Sequence, residues 1–315
     1  MNAKKNTDVS SAQVVVIGSL NMDLVTRAQR LPGPGETLSG DSFDTVSGGK
    51  GANQAVAAAR LGARVAMIGC VGDDAYGEQL RNALLAEQID CQGLTTVADV
   101  STGIASIVVD ADGQNAIIIV AGGNGRLAPD VIDRFDALLG AAQVVICQLE
   151  VPLPTVAHAL RRARELGKTV ILNPAPAVAA LPDQWYSLID YLIPNETEAA
   201  ILSGIAVDSV ASAERATQSL LALGASKVII TLGEQGALLA SGRGSEHFPA
   251  PRVTAVDSTA AGDTFVGGFA AALAQGHTEA DAIRFAQKAA AISVTRAGAQ
   301  PSIPDSAEVQ RFAFT

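Results

Sequence analysis

Short apolar runs alternate with helical stretches from about residue 129 onward, and this alternation restricts the chain to few folds. The sequence predicts strands over 144–149, 169–173, 191–194 and 228–232, and helices over 155–166, 196–202, 212–223, 263–274 and 279–295. Earlier, strand 14–18, helix 52–61, strand 65–70 and helix 74–88 follow the same logic. The strands are continuously apolar, as in Val144-Val145-Ile146-Cys147, so both sheet faces must be covered. Such a pattern specifies an α/β fold of three layers, a mostly parallel central sheet with helices on both faces. Ligands of such sheets gather at the carboxyl ends of the strands. Asn21, Asp23, Glu150, Asn195, Thr231 and Asp257 fall there.

A second texture interrupts the first. Residues 104–109 and 116–120 read as strands joined by a hairpin signal at Asp112-Gly113. They predict a small antiparallel sheet whose remaining strands come from the Gly- and Pro-rich stretch 21–46. The expected organisation is one domain over 12–315, with lid strands inserted at about 20–46 and 95–121 and a disordered tail over 1–11. Apolar residues on both lid faces imply that the main domain covers one and a second copy of the chain the other, hence a homodimer.

Composition narrows the partners. With 48% hydrophobic and 17% charged residues, the 315-residue chain has enough apolar material for a sizeable core. A formal charge of -10 argues against nucleic acid or an anionic membrane as partner, since both need clustered Lys and Arg. No apolar run approaches the ~20 residues of a membrane helix, and the N-terminus lacks a signal-peptide core, so a cytoplasmic location is expected. Cys70, Cys91 and Cys147 are too scattered for a disulfide framework and read as buried reduced thiols.

Several motifs fail on inspection. Gly167-Lys168-Thr169 ends like a phosphate-binding loop, but Arg162 stands where the first glycine is required. There is no Gly-x-Gly-x-x-Gly, the main signature of a dinucleotide dehydrogenase. Ser47-Gly48-Gly49-Lys50 has no partner motif of the penicillin-binding kind, and His158, His247 and His277 lack metal-ligand spacing.

What remains is Gly262-Asp263-Thr264 at a predicted helix start. The backbone amides of Ala261, Gly262 and Asp263 would face an anion at the positive end of the helix dipole, and Asp263 would accept a hydroxyl proton. Read alone, Asp263 suits a helix cap better than a base. Likewise Asn195 and Glu198, three residues apart, have the spacing of a capping box.

Further motifs accompany Asp263: Asn21-Met22-Asp23, Gly48-Gly49-Lys50-Gly51-Ala52-Asn53-Gln54, Pro194-Asn195-Glu196-Thr197-Glu198, Thr231-Leu232-Gly233 and Asp257-Ser258-Thr259-Ala260-Ala261-Gly262-Asp263-Thr264-Phe265. In this order the chain resembles the ribokinase family of carbohydrate kinases, from about residue 14 to 304. The resemblance implies ATP-dependent phosphorylation of D-ribose at its 5-hydroxyl, under a small β lid, with Asp263 as base. It implies a sugar site at Asn21, Asp23, Gly49, Lys50, Asn53, Glu150 and Asp263. ATP would be received by Asn195, Thr231, Gly233, Gln235, Gly236 and Gly262, with Gln287 near the adenine. Glu198 would organise water around Mg²⁺, and Asp257, Thr259, Ser293, Arg296, Gly298 and Ser302 would surround K⁺, largely through backbone oxygens. The alternatives are a family kinase for deoxyribose, fructose or a nucleoside, and a non-catalytic sugar-binding regulator.

Overall fold

The computed structural model describes residues 12–177 and 179–312, so the expected tail at 1–11 and the last three positions lie outside the described residues. The strands are β1 (Val14–Ile17), β2 (Asn21–Arg27), β3 (Ser42–Gly48), β4 (Val65–Gly72), β5 (Asp90–Val97), β6 (Gly103–Val109), β7 (Asn115–Val120), β8 (Val144–Cys147), β9 (Thr169–Leu172), β10 (Tyr191–Leu192), β11 (Lys227–Thr231), β12 (Ala237–Ser241) and β13 (Gly244–Phe248). The helices are α1 (Lys50–Arg60), α2 (Ala75–Ala86), α3 (Pro129–Arg134), α4 (Asp136–Ala141), α5 (Leu153–Glu165), α6 (Asp183–Tyr186), α7 (Glu196–Ser203), α8 (Val210–Ala222), α9 (Ala261–Ala274), α10 (Glu279–Ser293) and α11 (Ser306–Arg311).

Nine strands form the central sheet in the order β13-β12-β11-β10-β9-β8-β1-β4-β5. The pairs from β5 to β11 are parallel, and β12 and β13 close one edge antiparallel. Along β1 the side chains divide between two cores: Val14 and Val16 enter one, Val15 and Ile17 the other. That is the physical content of a continuously apolar strand, since successive side chains point to opposite faces and both are dry.

One core is built on α1, α9 and α10. Gly51 through Ala58 of α1 are all buried, and most are alanine or glycine, so the helix can press close to its neighbour. At the crossing, a Cβ on Gly267 would lie 2.6 Å from both the Ala57 Cβ and the Gln54 carbonyl oxygen. Only glycine allows this approach, which sets the beginning of α9 beside the polar face of α1.

The small sheet has the order β3-β2-β6-β7. It is mixed, not antiparallel as its sequence suggests: β2 and β6 run parallel, with Asn21 opposite Gly103. Hydrophobic pattern specifies that strands pair but carries little information on direction, and β2 and β6 are joined by the long excursion through α1 and α2. β3 and β7 then pair antiparallel on either side. All six residues of β7 are exposed, among them Ile117, Ile118, Ile119 and Val120. The three cysteines are buried and unpaired, and burial pushes the Cys147 thiol up to about 12. No helix of the described residues is long and apolar enough to cross a membrane.

Candidate active site

Asp263 is the third residue of α9, not its cap. The helix begins two residues earlier than the sequence suggests because Ala260 adopts left-handed backbone, φ 59°, and turns the chain into the first turn. No side chain caps that start. The Ala261 amide donates to the Ser258 carbonyl at 3.1 Å, while the Gly262 and Asp263 amides have no acceptor among the described residues. Two of the three expected anion-binding amides are therefore open at the positive end of a 14-residue helix.

The Asp263 side chain is instead held from α1. Asn53 Nδ2 donates to its Oδ2 at 3.0 Å and Gln54 Nε2 to its Oδ1 at 2.9 Å. Burial raises its pKa; the nearby Lys50 ammonium and these two donors oppose the rise. Lys50 sits at the start of α1, where Asp263, Glu150 and Glu198 surround it. Burial alone would lower its pKa, but the three carboxylates together outweigh burial and raise it.

A cavity of about 180 Å³ opens in front of these groups. Lys50, Asn195, Glu198, Thr231, Gly262 and Asp263 line it, residues from four separate stretches of the chain. Asn195 and Glu198 form a reciprocal capping box at the start of α7, with bonds of 2.8 and 2.9 Å. Capping engages only one Glu198 oxygen, Oε2, so the other is free to act in the cavity. Burial pushes the Glu198 pKa up. Thr231 ends β11 in a parallel bridge with Asn195, its amide donating to Pro194 at 3.0 Å.

A second cluster lies at the lid root. Glu150 Oε2 accepts from Ser19 Oγ at 2.6 Å and from the Lys50 amide at 3.0 Å, joining the end of β1 to the start of α1, just after Gly49. Asn21 is buried, and its Oδ1 accepts from Asn124 Nδ2 at 2.8 Å. Asp23 is half-buried against Gly48; burial, then the charges of Glu150 and Asp263, push it up to about 7. Asn124 also bonds both the amide and the carbonyl of Leu20, fastening the lid to the body.

The remaining expected residues are placed less directly. Gly233 and Gln235 form a single 3₁₀ turn closed by Gly236, with the Gln235 carbonyl 2.7 Å from His247 Nε2. The Gln287 amide is spent on the Phe248 carbonyl, 2.7 Å away, and does not line the cavity. Asp257 ties its loop together: Oδ1 accepts from the Thr259 amide and hydroxyl, and Oδ2 from the Gly298 amide at 2.8 Å. The Ser293 and Ser302 hydroxyls donate to the carbonyls of Ala290 and Ala299, and Arg296 pairs with Glu308. Side chains here hold the loop together, and the Ser293 carbonyl accepts from the Arg296 amide at 3.0 Å. Gln54, Asn124, Gln148 and Asn173 were missed as site residues, although Gln148 and Asn173 are polar residues directly after apolar strands.

The chain is similar to known carbohydrate kinases over nearly its whole length. The ribokinase of Haemophilus influenzae is 44% identical over 299 residues, covering 95% of this chain and 97% of its own. The deoxyribokinase of Salmonella typhi is 41% identical over 291 residues, covering 92% and 95%. Among solved structures, that of Arabidopsis thaliana ribokinase complexed with ribose and ATP superposes with a TM-score of 0.91 at 33% identity, covering 96% of this chain and 99% of the other. The profile of the pfkB family carbohydrate kinase matches residues 11–306, and the chain belongs to that family.

Proposed function

We propose that this chain transfers the γ-phosphoryl group of ATP to the 5-hydroxyl of D-ribose. The observation that carries the reading is the convergence, in one cavity, of a buried carboxylate and two open helix amides, Asp263 with the Gly262 and Asp263 N–H groups. Asp263 accepts the hydroxyl proton as the sugar oxygen bonds to phosphorus; the bridging P–O bond breaks and its electron pair leaves with ADP. The open amides, which need no reorganisation, receive charge on the transferred group. Lys50 adds a half-buried positive charge in the same cavity. At the lid root, Asn21, Asp23 and Glu150 offer carboxylates and an amide, the mixture of donors and acceptors a polyol needs.

Glu198, with an oxygen left over from capping, suits the outer water shell of Mg²⁺, which when bound neutralises phosphate charge. The loop at Asp257, Thr259, Ser293, Arg296, Gly298 and Ser302 suits K⁺, because its side chains are engaged within the loop and carbonyl oxygens remain. The exposed apolar β7 supports a homodimer formed lid to lid.

A coupled assay of ADP release across ribose, deoxyribose, fructose and adenosine tests the reading. Ribose should give the highest kcat/KM, and turnover of none of the four would overturn it. Deoxyribose is the second reading, favoured by the similarity to the Salmonella typhi deoxyribokinase.

A further inference from the structure

Behind Asp263, away from the cavity, lie two fully buried glutamines, Gln54 of α1 and Gln148 at the end of β8. We propose that Gln54, held in turn by Gln148, is a positioning residue that aims the Asp263 carboxylate and keeps it ionised for proton transfer; this rests on the kinase reading above.

The chemistry of an amide fixes the direction of the chain. An ionised carboxylate only accepts, so Gln54 must present its NH₂ group to Asp263 Oδ1, at 2.9 Å. Its oxygen then faces away, where Gln148 Nε2 donates to it at 2.6 Å. The second N–H of Gln54 reaches Asn173 Oδ1 at 3.0 Å, and Asn173 is oriented by donating to the Ile193 carbonyl at 2.8 Å. Every polar atom of Gln54 is thus committed to one orientation. Gln148 keeps its own orientation at a cost, since its Oε1 has no hydrogen-bond partner among the described residues. Turned over, Gln148 would set oxygen against oxygen at Gln54. It fits because residue 18 is glycine: a Cβ there would lie 1.9 Å from Gln148 Oε1.

The arrangement answers an electrostatic difficulty. Burial disfavours the Asp263 anion. Lys50 of α1 supports it, whereas Glu150 after β8, Glu198 of α7 and Asp23 of β2 oppose it. A neutral amide stabilises the anion without adding a charge that would compete for phosphate. Neither glutamine lines the cavity, so their effect passes through Asp263.

The test compares wild type, Gln54→Met and Gln148→Met, both near-isosteric. Two readouts are used: the pH dependence of kcat/KM for ribose, and direct titration of the Asp263 ¹³Cγ resonance, identified by its loss in Asp263→Asn. Losing one donor should raise the Asp263 midpoint and the acid limb in Gln54→Met by about one pH unit. On the acid limb, below both midpoints, kcat should fall about tenfold, with the ribose KM within about twofold. Gln148→Met should shift both in the same direction by less, and should fold, because the unpartnered oxygen it removes offsets the one it leaves on Gln54. An unchanged Asp263 midpoint in either folded variant, or a loss confined to KM, would overturn the assignment. The resonance titrates whether or not a sugar turns over, so failure of the kinase reading registers separately, as an inactive wild type.

Discussion

Asn53 Nδ2 lies 3.0 Å from Asp263 Oδ2, so position 263 meets donors on both oxygens and is built to hold an anion. An amide there would set NH₂ against NH₂ on one side. Asp263→Asn should therefore lower kcat by about 10²–10⁴-fold, the usual worth of a general base. Ribose affinity, measured by calorimetry, should change little, and a near-normal rate would remove Asp263 from the role.

Asp23 gives the site a pH dependence. Its carboxyl, ordinarily at 3.8, is pushed up to about 7 by burial and by Glu150 and Asp263. Below 3.8 it is protonated in folded and unfolded chains alike; between the two values only the folded chain keeps the proton. Stability must therefore fall as pH rises through that window and level off above it. Asp23→Asn should abolish this part of the decline, read as the difference in denaturation midpoint between the two proteins at each pH. Ribose hydroxyls donating to Asp23 favour its anion, so ribose affinity should tighten as pH rises through about 7, with proton release on binding.

The lid should carry self-association. Ile118 is 70% exposed in the single chain, so a charge there costs the monomer little. Ile118→Lys should convert a dimer to a monomer in sedimentation, with melting behaviour of the single chain retained. An unaltered dimer would place the contact elsewhere.

Replacing K⁺ by Na⁺ should reduce kcat without unfolding the protein, since the loop of Asp257 and Gly298 holds together through its own bonds. Equal activity in the two salts would count against a cation at that loop.

The central sheet was legible because its signal is local: continuous apolar runs such as 144–147 lie within a strand, and the expected ends differ from the observed ones by only a few residues. Asn195 and Glu198 were legible for the same reason, and capping and cavity lining turned out to be compatible. Strand direction in the lid was not legible, since an apolar face looks the same in parallel and antiparallel pairs. Asp263 looked like a cap because the left-handed turn at Ala260 that starts the helix early belongs to an alanine, which gives no warning of it. The glutamines were invisible as a pair, for Gln148 meets Gln54 across 94 positions of sequence.

The carboxylates gathered around Lys50 also govern departure. Asp263, Glu150 and Glu198 outnumber the single ammonium among them, so the surroundings of Lys50 are negative before phosphate arrives. An uncharged pentose enters that field without penalty. Once phosphorylated it becomes a dianion facing like charge, and every added charge on it weakens its hold. Proton transfer to Asp263 leaves one carboxylate fewer to oppose the new phosphate, so the groups that prepare the base also set how strongly the product is held.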